Sequence, residues 1–537
     1  MNDSVDVRSK CCDVRDAMDL VRDGQTVGCV GVIGWITPDL LLKTLGERFG
    51  QTQRPRDLTF YFPCGTGDAM GIPGMDHVAV EGLMKRIVSG SYINPVHPKT
   101  GARPRLMQLI QENRIEAYSW PIGASMHWLR EVARRGPGYI TRIGLGCYID
   151  PEQGGGKYTT KCTDDLVEKI TLRGQPWLFY PTWDIDVGLL RATSADEDGN
   201  LSFEEEPIIS SNIALAMAVK ASGGTVIAQV KRIVPRRSRP PHAIRLPGAL
   251  VDRVVVCPDQ PMVTDTPFDG RFLGIEKGRM GDLPKLPLTP HKVIARRAGA
   301  EVRKGELSIF GFGASSDAPL VMAGDNLLTD DNLDEYRMTT EHGSFGGVVM
   351  SGWQFSANMN VEAIVDGVTQ FDLIDGGLCR FAALAFAQFD RRGRVNVSRF
   401  GSANPGAGGF IDIAYSAKRL VFTGTLTTGG SKIVCDERDG KAGLRIVQEG
   451  SVKKLVEAVD QITYDVAEGV RQRGQEALLI TERAVFQIAA DGLVLVEIAP
   501  GVDLQRDVLD QMSFAPVRIA DPLPLMDPRL FCPAPLL

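Results

Sequence analysis

Long apolar runs are missing from this chain of 537 residues. No stretch approaches the ~18 consecutive apolar residues that a membrane-spanning helix needs, so no membrane partner is expected. The opening M-N-D-S-V-D-V-R-S-K is polar and has no apolar core segment of a secretory leader, and a cytoplasmic location is expected. Cysteine forms no framework. Ten residues are scattered without a C-x-x-C pair, and adjacent Cys11 and Cys12 suit neither a zinc site nor a mutual disulfide. The six histidines stand singly and no H-E-x-x-H occurs, so no metal site is expected. Basic excess is missing as well. Lys and Arg total 60 against 66 Asp and Glu, a net charge of −6, which offers no broad field to nucleic acid or anionic lipid. The densest basic stretch, Lys231 to Arg239, follows an apolar run, contains a proline and reads as a solvated loop or a local phosphate-binding patch. No G-x-x-x-x-G-K-[ST] and no G-x-S-x-G is present. Gly65, Gly67 and Gly71 miss the dinucleotide spacing by one residue.

What is present is an ordinary globular composition, 43% hydrophobic and 23% charged, on a chain too long for one core. Strand, glycine turn and helix recur, which is the grammar of a parallel α/β sheet. Thr26 to Val32 is a small-residue strand leading to Gly34, then Thr37 as N-cap and Pro38 at the first turn of a helix from Asp39 to Phe49. Leu58 to Phe62, Glu116 to Trp120, Tyr139 to Ile143 and Thr225 to Val230 read as further strands, and Ser125 to Arg135 as a helix. Asp150 to Lys157 (D-P-E-Q-G-G-G-K) reads either as a surface loop or as a phosphate cradle.

The Pro-rich stretch 281–290 reads as a linker. Beyond it the opening pattern returns: a helix from His291 to Val302, a turn at Lys304-Gly305, a strand from Leu307 to Phe310, then G-F-G-A-S-S-D-A-P. Asp196 and Gly199 share the spacing of Asp390 and Gly393. Two tandem, topologically similar, mostly parallel open-sheet α/β domains are expected, with a ligand cleft between them. Their bounds are 1–280 and 291–520, with a tail at 521–537.

Two glycine-bearing stretches stand out. Tyr336 to Thr340 reads as a short strand ending in Glu341, followed by His342, Gly343 and the pair Gly346-Gly347. A carboxylate at a strand end beside flexible backbone suits chemistry, and equally suits a solvated turn. Gly406 to Phe410 (G-A-G-G-F) leads into Ile411-Asp412-Ile413, read as a strand. It is either a tight turn or a place where a ligand approaches the backbone.

E-H-G-S-F-G-G from Glu341, G-A-G-G-F-I-D-I-A-Y-S-A-K-R-L-V-F-T-G-T-L-T-T-G-G from Gly406, and I-T-E-R-A-V-F from Ile480 resemble the motifs of family I coenzyme A transferases. The resemblance runs from about Ala17 to Phe531. It is strongest to the single-chain propionate and acetate/3-ketoacid enzymes, in which two subunits are fused. It implies an acyl-CoA:carboxylate CoA-transferase in which Glu341 is the nucleophile and carries a covalent γ-glutamyl-CoA thioester. CoA is then a substrate, and no cofactor is permanently bound. The implied partners are an acyl-CoA, a carboxylic acid and further copies of the chain, as a homodimer or homotetramer. Gly406, Gly408 and Gly409 are implied to lie where the pantetheine or the thioester oxygen is held. Gly31 and Gly34 join them as candidates for the backbone that faces an oxyanion. The chain departs from the family where P-Q-G becomes Pro121-Ile122-Gly123, in the stretch from Phe310 to Pro319, and at Ser344, Phe345 and Trp353. Ile122, Ser344, Phe345 and Trp353 are therefore candidate pocket residues. An acyl-CoA hydrolase of the same fold and a CoA-binding protein that has lost activity are the alternatives.

Overall fold

The computed structural model describes residues 10–68, 70–92, 101, 104–438 and 441–537. Residues 1–9, most of the polar opening, lie outside the described residues. The chain divides into two compact units. The first comprises Met1–Leu273 together with Ile364–Phe371 and Ser402–Gly409; the second comprises Gly274–Ala363, Asp372–Gly401 and Phe410–Leu537. The division falls at residues 273/274 instead of at the Pro-rich stretch, and two short segments of the C-terminal half count with the first unit. No helix among the described residues is long and apolar enough to cross a membrane.

In the first unit the main strands are β1 (Thr26–Cys29), β2 (Leu58–Phe62), β3 (Met84–Ser89), β4 (Glu116–Ser119), β5 (Val187–Asp196), β6 (Thr225–Val234) and β7 (Arg253–Val256). All pair in parallel, in the order β4-β3-β2-β1-β5-β6-β7. Every residue of the central β5 is buried, as a strand covered on both faces must be. Helix α1 (Asp39–Thr52) buries Leu41, Leu42, Leu45 and Phe49, one stripe at helical spacing. Helices α2 (Ile122–Ala133) and α3 (Asn212–Ala221) follow β4 and precede β6. The strand order reverses between β1 and β5, so the loop after β1 emerges at the switch point of the sheet, where open α/β sheets bind ligands.

The second unit contains α4 (Pro290–Gly299), β8 (Leu307–Phe310), α5 (Asp317–Gly324), β9 (Arg337–Thr339), β10 (Ser344–Phe345), β11 (Phe381–Ala385), α6 (Phe410–Ser416), β12 (Arg419–Thr423), α7 (Val466–Arg473), β13 (Glu476–Ile480), β14 (Ala484–Ala489), β15 (Gly492–Ile498) and β16 (Arg518–Ile519). Its sheet runs β10-β9-β8-β11-β12-β13-β14-β15-β16, with β9 to β13 parallel. The order β2-β1-β5-β6-β7 is thus repeated as β9-β8-β11-β12-β13. A turn recurs with it. Asp196 Oδ1 accepts from the backbone N–H of Asp198 and Asn200 (both 3.0 Å), and Asp390 Oδ1 accepts from Arg392 (2.9 Å) and Arg394 (3.1 Å). Gly199 and Gly393 supply the left-handed backbone that closes each turn, at φ 82° and 79°.

Several local expectations are corrected. Thr37 does not cap α1: its hydroxyl donates to the carbonyls of Ile33 and Trp35 (both 3.2 Å), and Pro38 occupies the cap position. Residues 411–413 belong to α6, a short helix buried all round from Phe410 to Ala414, so its apolar run carries no period that tells it from a buried strand. The strand Gly138–Thr141 pairs antiparallel with 178–181, outside the parallel sheet. Lys231 to Val234 continue β6, and the adjacent cations are neutralised by Glu204 and Glu205. Lys157 ion-pairs Asp165 at 2.7 Å. The segment after residue 520 is docked: Leu530 and Phe531 are buried, and the Arg296 guanidinium donates to the carbonyls of Leu530, Cys532 and Ala534.

Candidate active site

Glu341 stands at the carboxyl end of β9. Two residues past Thr339 the chain reverses through Glu341-His342-Gly343, with Gly343 at φ 95°, and returns as β10, where Phe345 pairs with Thr339. The turn is stitched from within. Thr339 Oγ1 donates to Ser344 O (2.8 Å), while Thr340 Oγ1 and Ser344 Oγ both donate to Ser356 O (3.0 and 3.2 Å). Glu341 is 9% exposed and His342 1%, and His342 Nε2 lies 3.4 Å from Glu341 Oε1. This carboxylate is thus held largely out of water on a turn clasped from both sides, unlike a solvated surface acid.

The glycines that follow Glu341 serve the hairpin. A side chain at Gly346 would strike Glu362, and one at Gly347 would come within 2.0 Å of Met359 O. Ser344 is spent on the same clasp. Phe345 and Trp353 are half-buried, Trp353 on the short turn Gly352–Gln354.

The carboxyl edge of the second sheet gathers further residues, of which Phe386 and Lys454 lie outside the sequence motifs. Gly311–Gly313 follows β8, Phe386 follows β11, Gly424 follows β12 and Thr481–Arg483 follows β13. Lys454 Nζ lies 4.0 Å over the Phe386 ring, and burial pushes its pKa down to about 8 against the pull of Glu482. The I-T-E-R motif is a buried clamp. Arg483 Nε meets Glu482 Oε1 at 2.7 Å, and its Nη1 reaches Glu449 Oε2 (2.7 Å) and Asp507 O (3.0 Å).

In the first unit the structure brings together residues far apart in sequence. Ile122 opens α2; its N–H donates to Gly408 O (3.0 Å), and the Gly408 N–H donates to Gly90 O (3.1 Å). Ala407 N–H bonds the buried Tyr148 hydroxyl, which also meets Ser119 Oγ at 2.9 Å; burial raises that phenol's pKa well above its usual value. Gly408 sits at φ 60°, and among the described residues only Ile122 Cδ1, at 4.0 Å, lies near the position of a side chain. Its Cα face is therefore open, although its N–H is engaged. Gly406 (φ 79°) is crowded by Ser119 Oγ at 2.9 Å.

The loop after β1 is built differently. A side chain at Gly31 would lie 2.1 Å from Thr66 Oγ1, and one at Gly34 would lie 2.9 Å from Asp68 Oδ2. Both faces are filled by the protein itself. Between and beyond them, Ile33 and Ile36 adopt φ 53° and 49°, a costly left-handed backbone for β-branched residues. The loop is held by Ile33 N–H to Gly65 O (2.8 Å), Gly67 N–H to Ile33 O (2.5 Å) and the buried Arg191, which donates to Thr37 O while paired with Glu206 at 2.9 Å. Gly31 and Gly34 therefore sit in a strained loop at the switch point in which the protein itself fills the position of a side chain.

The family model described as coenzyme A transferase matches residues 13–257. The chain is 38% identical over 523 residues to the acetate CoA-transferase YdiF of Escherichia coli K12, covering 97% of this chain and 94% of that one. It is 38% identical over 536 residues to the caffeate CoA-transferase of Acetobacterium woodii, covering 97% of each. The crystal structure of the acyl-CoA transferase YdiF apoenzyme from Escherichia coli O157:H7 superposes with a TM-score of 0.88 at 36% identity, over 99% of this chain and 98% of the other. A thioester complex of that enzyme with CoA gives 0.87 at the same identity and coverage.

Proposed function

The chain belongs to the coenzyme A transferase family, and we propose that it transfers CoA between carboxylic acids by a ping-pong reaction through Glu341. A Glu341 carboxylate oxygen attacks the thioester carbonyl of an acyl-CoA. The C–S bond breaks, CoA thiolate leaves and an acyl–glutamyl anhydride remains. The thiolate attacks the glutamyl carbonyl, the anhydride C–O bond breaks, and the first acid departs as its carboxylate. Glu341 now carries CoA as a γ-thioester. A second carboxylate reverses the sequence and restores the free glutamate. No net proton is taken up or released, and the thioester energy is conserved across both halves.

The observation that carries this reading is the placement of Glu341: nearly buried, on a hairpin tip at the carboxyl edge of a parallel sheet, one strand from the switch point. Exclusion of water matters because each intermediate hydrolyses readily. Among the glycine candidates, the open face of Gly408 is best suited to a passing pantetheine or thioester. Short-chain acids are the proposed acyl groups, with action in the cytoplasm and as a homo-oligomer, which sedimentation of the purified protein checks.

The test is chemical. The protein is incubated with acetyl-CoA, reduced with borohydride and digested, and the product is mapped by mass spectrometry. Reduction confined to Glu341 is expected. An unmodified Glu341 under conditions of turnover would exclude the covalent route, and CoA release in the absence of an acceptor acid, as fast as transfer, would point to a hydrolase.

A further inference from the structure

The loop after β8 places an aromatic ring beside the Glu341 turn. Strands β8 and β9 are parallel neighbours in which Ile309 pairs with Thr339. The stretch Gly311–Gly313, with Phe312 at its centre, and the Glu341 turn therefore leave adjacent strands at the same edge of the sheet. Gly311 and Gly313 explain how Phe312 is presented. Gly311 N–H donates to Ala383 O (2.9 Å). A side chain at Gly311 would meet Leu384 at 2.9 Å, and one at Gly313 (φ 105°) would meet Ala385 at 3.2 Å. Both glycines lie close against the end of β11.

A second constraint fixes where that ring goes. Phe312 packs edge-on against Phe355, with centroids 5.4 Å apart at 69°. Phe355 is buried, and its neighbour Ser356 accepts through its carbonyl from Thr340 and Ser344, the residues flanking the Glu341 turn. Asp317, at the start of α5, bonds Ser351 and so ties the same loop to the same segment. Phe312 is only half-buried, so part of its ring remains uncovered.

On the reading that Glu341 carries the acyl group, we propose that Phe312 is a specificity-determining residue: its ring, backed by Phe355, forms a wall against which the acyl moiety packs, so that flat or branched apolar acyl groups are favoured over acetyl. Aromatic faces gain from offset and edge contacts beyond simple burial, and apolar pockets discriminate by about 10- to 200-fold for small changes in contact.

The experiment compares Phe312→Ala and Phe312→Leu with the unmodified enzyme, using cinnamoyl-CoA and acetyl-CoA as donors to a common acceptor. Phe312→Leu keeps apolar bulk and guards against misfolding of the smaller variant. The expected result for both variants is a fall in kcat/KM for cinnamoyl-CoA of about 10- to 100-fold, with a change for acetyl-CoA of no more than about threefold. Equal losses for both donors, or an unchanged ratio, would overturn the proposal. Borohydride labelling of Glu341 is run alongside. Labelling with an unchanged donor ratio removes only the role of Phe312, whereas no labelling in the unmodified enzyme removes the Glu341 reading itself.

Discussion

At the scale of single residues, the environment decides what a side chain is for. Glu341→Gln keeps the shape of the hairpin tip and removes the nucleophilic oxygen, so kcat is expected to fall by about 10⁴-fold or more with CoA binding preserved; steady-state rates set beside CoA titration check this. Two glycines from similar motifs should respond in opposite ways. Gly31→Ala forces a methyl to within 2.1 Å of Thr66 and is expected to cost about 3 kcal/mol of stability. Gly408→Ala meets open space and only a left-handed φ, about 1–2 kcal/mol, so its loss of activity should exceed its loss of stability. Denaturant midpoints and turnover numbers separate the two. Lys454 has a pH signature. Burial holds its pKa near 8, against about 10.4 in the unfolded chain. Between these values the unfolded chain binds more protons, so this group makes stability rise with pH across that window, and its contribution is lost as pH falls through 8. Phe386 and Glu482 face the ammonium. Lys454→Met should abolish that slope, measured as the difference in melting temperature between variant and parent from pH 7.5 to 10.

Elements owe their positions to buried polar bonds as much as to apolar stripes. Arg296, on α4, is fully buried. It chelates Asp325 at 2.6 and 2.8 Å and gathers four carbonyls of the C-terminal segment. Removing one partner of such a pair leaves a buried charge, at a cost of about 3–5 kcal/mol. Arg296→Met should lower the melting temperature and open residues 528–534 to proteolysis first, as limited digestion would reveal. The same principle explains why the I-T-E-R motif read clearly as family resemblance while its purpose did not. Arg483 clamps Glu449 and Asp507, 34 and 24 residues away, while Glu482 accepts from the N–H of Leu426, 56 residues away. Helices with periodic apolar residues, such as α1, were legible. Thr37 was misassigned because Ile36 adopts a left-handed backbone, which no local pattern signals.

For the whole molecule, the repeated strand order is the organising fact. It brings Gly311–Gly313 and Glu341 to neighbouring strand ends in the second unit, and the strained 31–37 loop to the switch point of the first. The segments 364–371 and 402–409 count with the first unit: Gly367 N–H donates to Ser210 O (2.9 Å), and Gly408 pairs with Ile122 and Gly90. A fragment ending at Leu273 lacks these bonds and is expected to melt lower and less cooperatively than the same unit within the full chain, as calorimetry of both would show.

The sequence alone determined the duplicated α/β grammar, the strand ending in Glu341 and the family motifs, because apolar periodicity, glycine placement and short contiguous motifs are local properties. Tertiary structure decided which glycines have the side-chain position filled and which do not, that Ile122 and Gly408 are bonded neighbours, that residues 411–413 turn helical, and that Phe312 packs on Phe355, next to the residue that clasps the Glu341 turn. Each of these depends on pairings across strands and between distant segments, where the neighbour that fills or vacates a space is not encoded next to the residue it constrains.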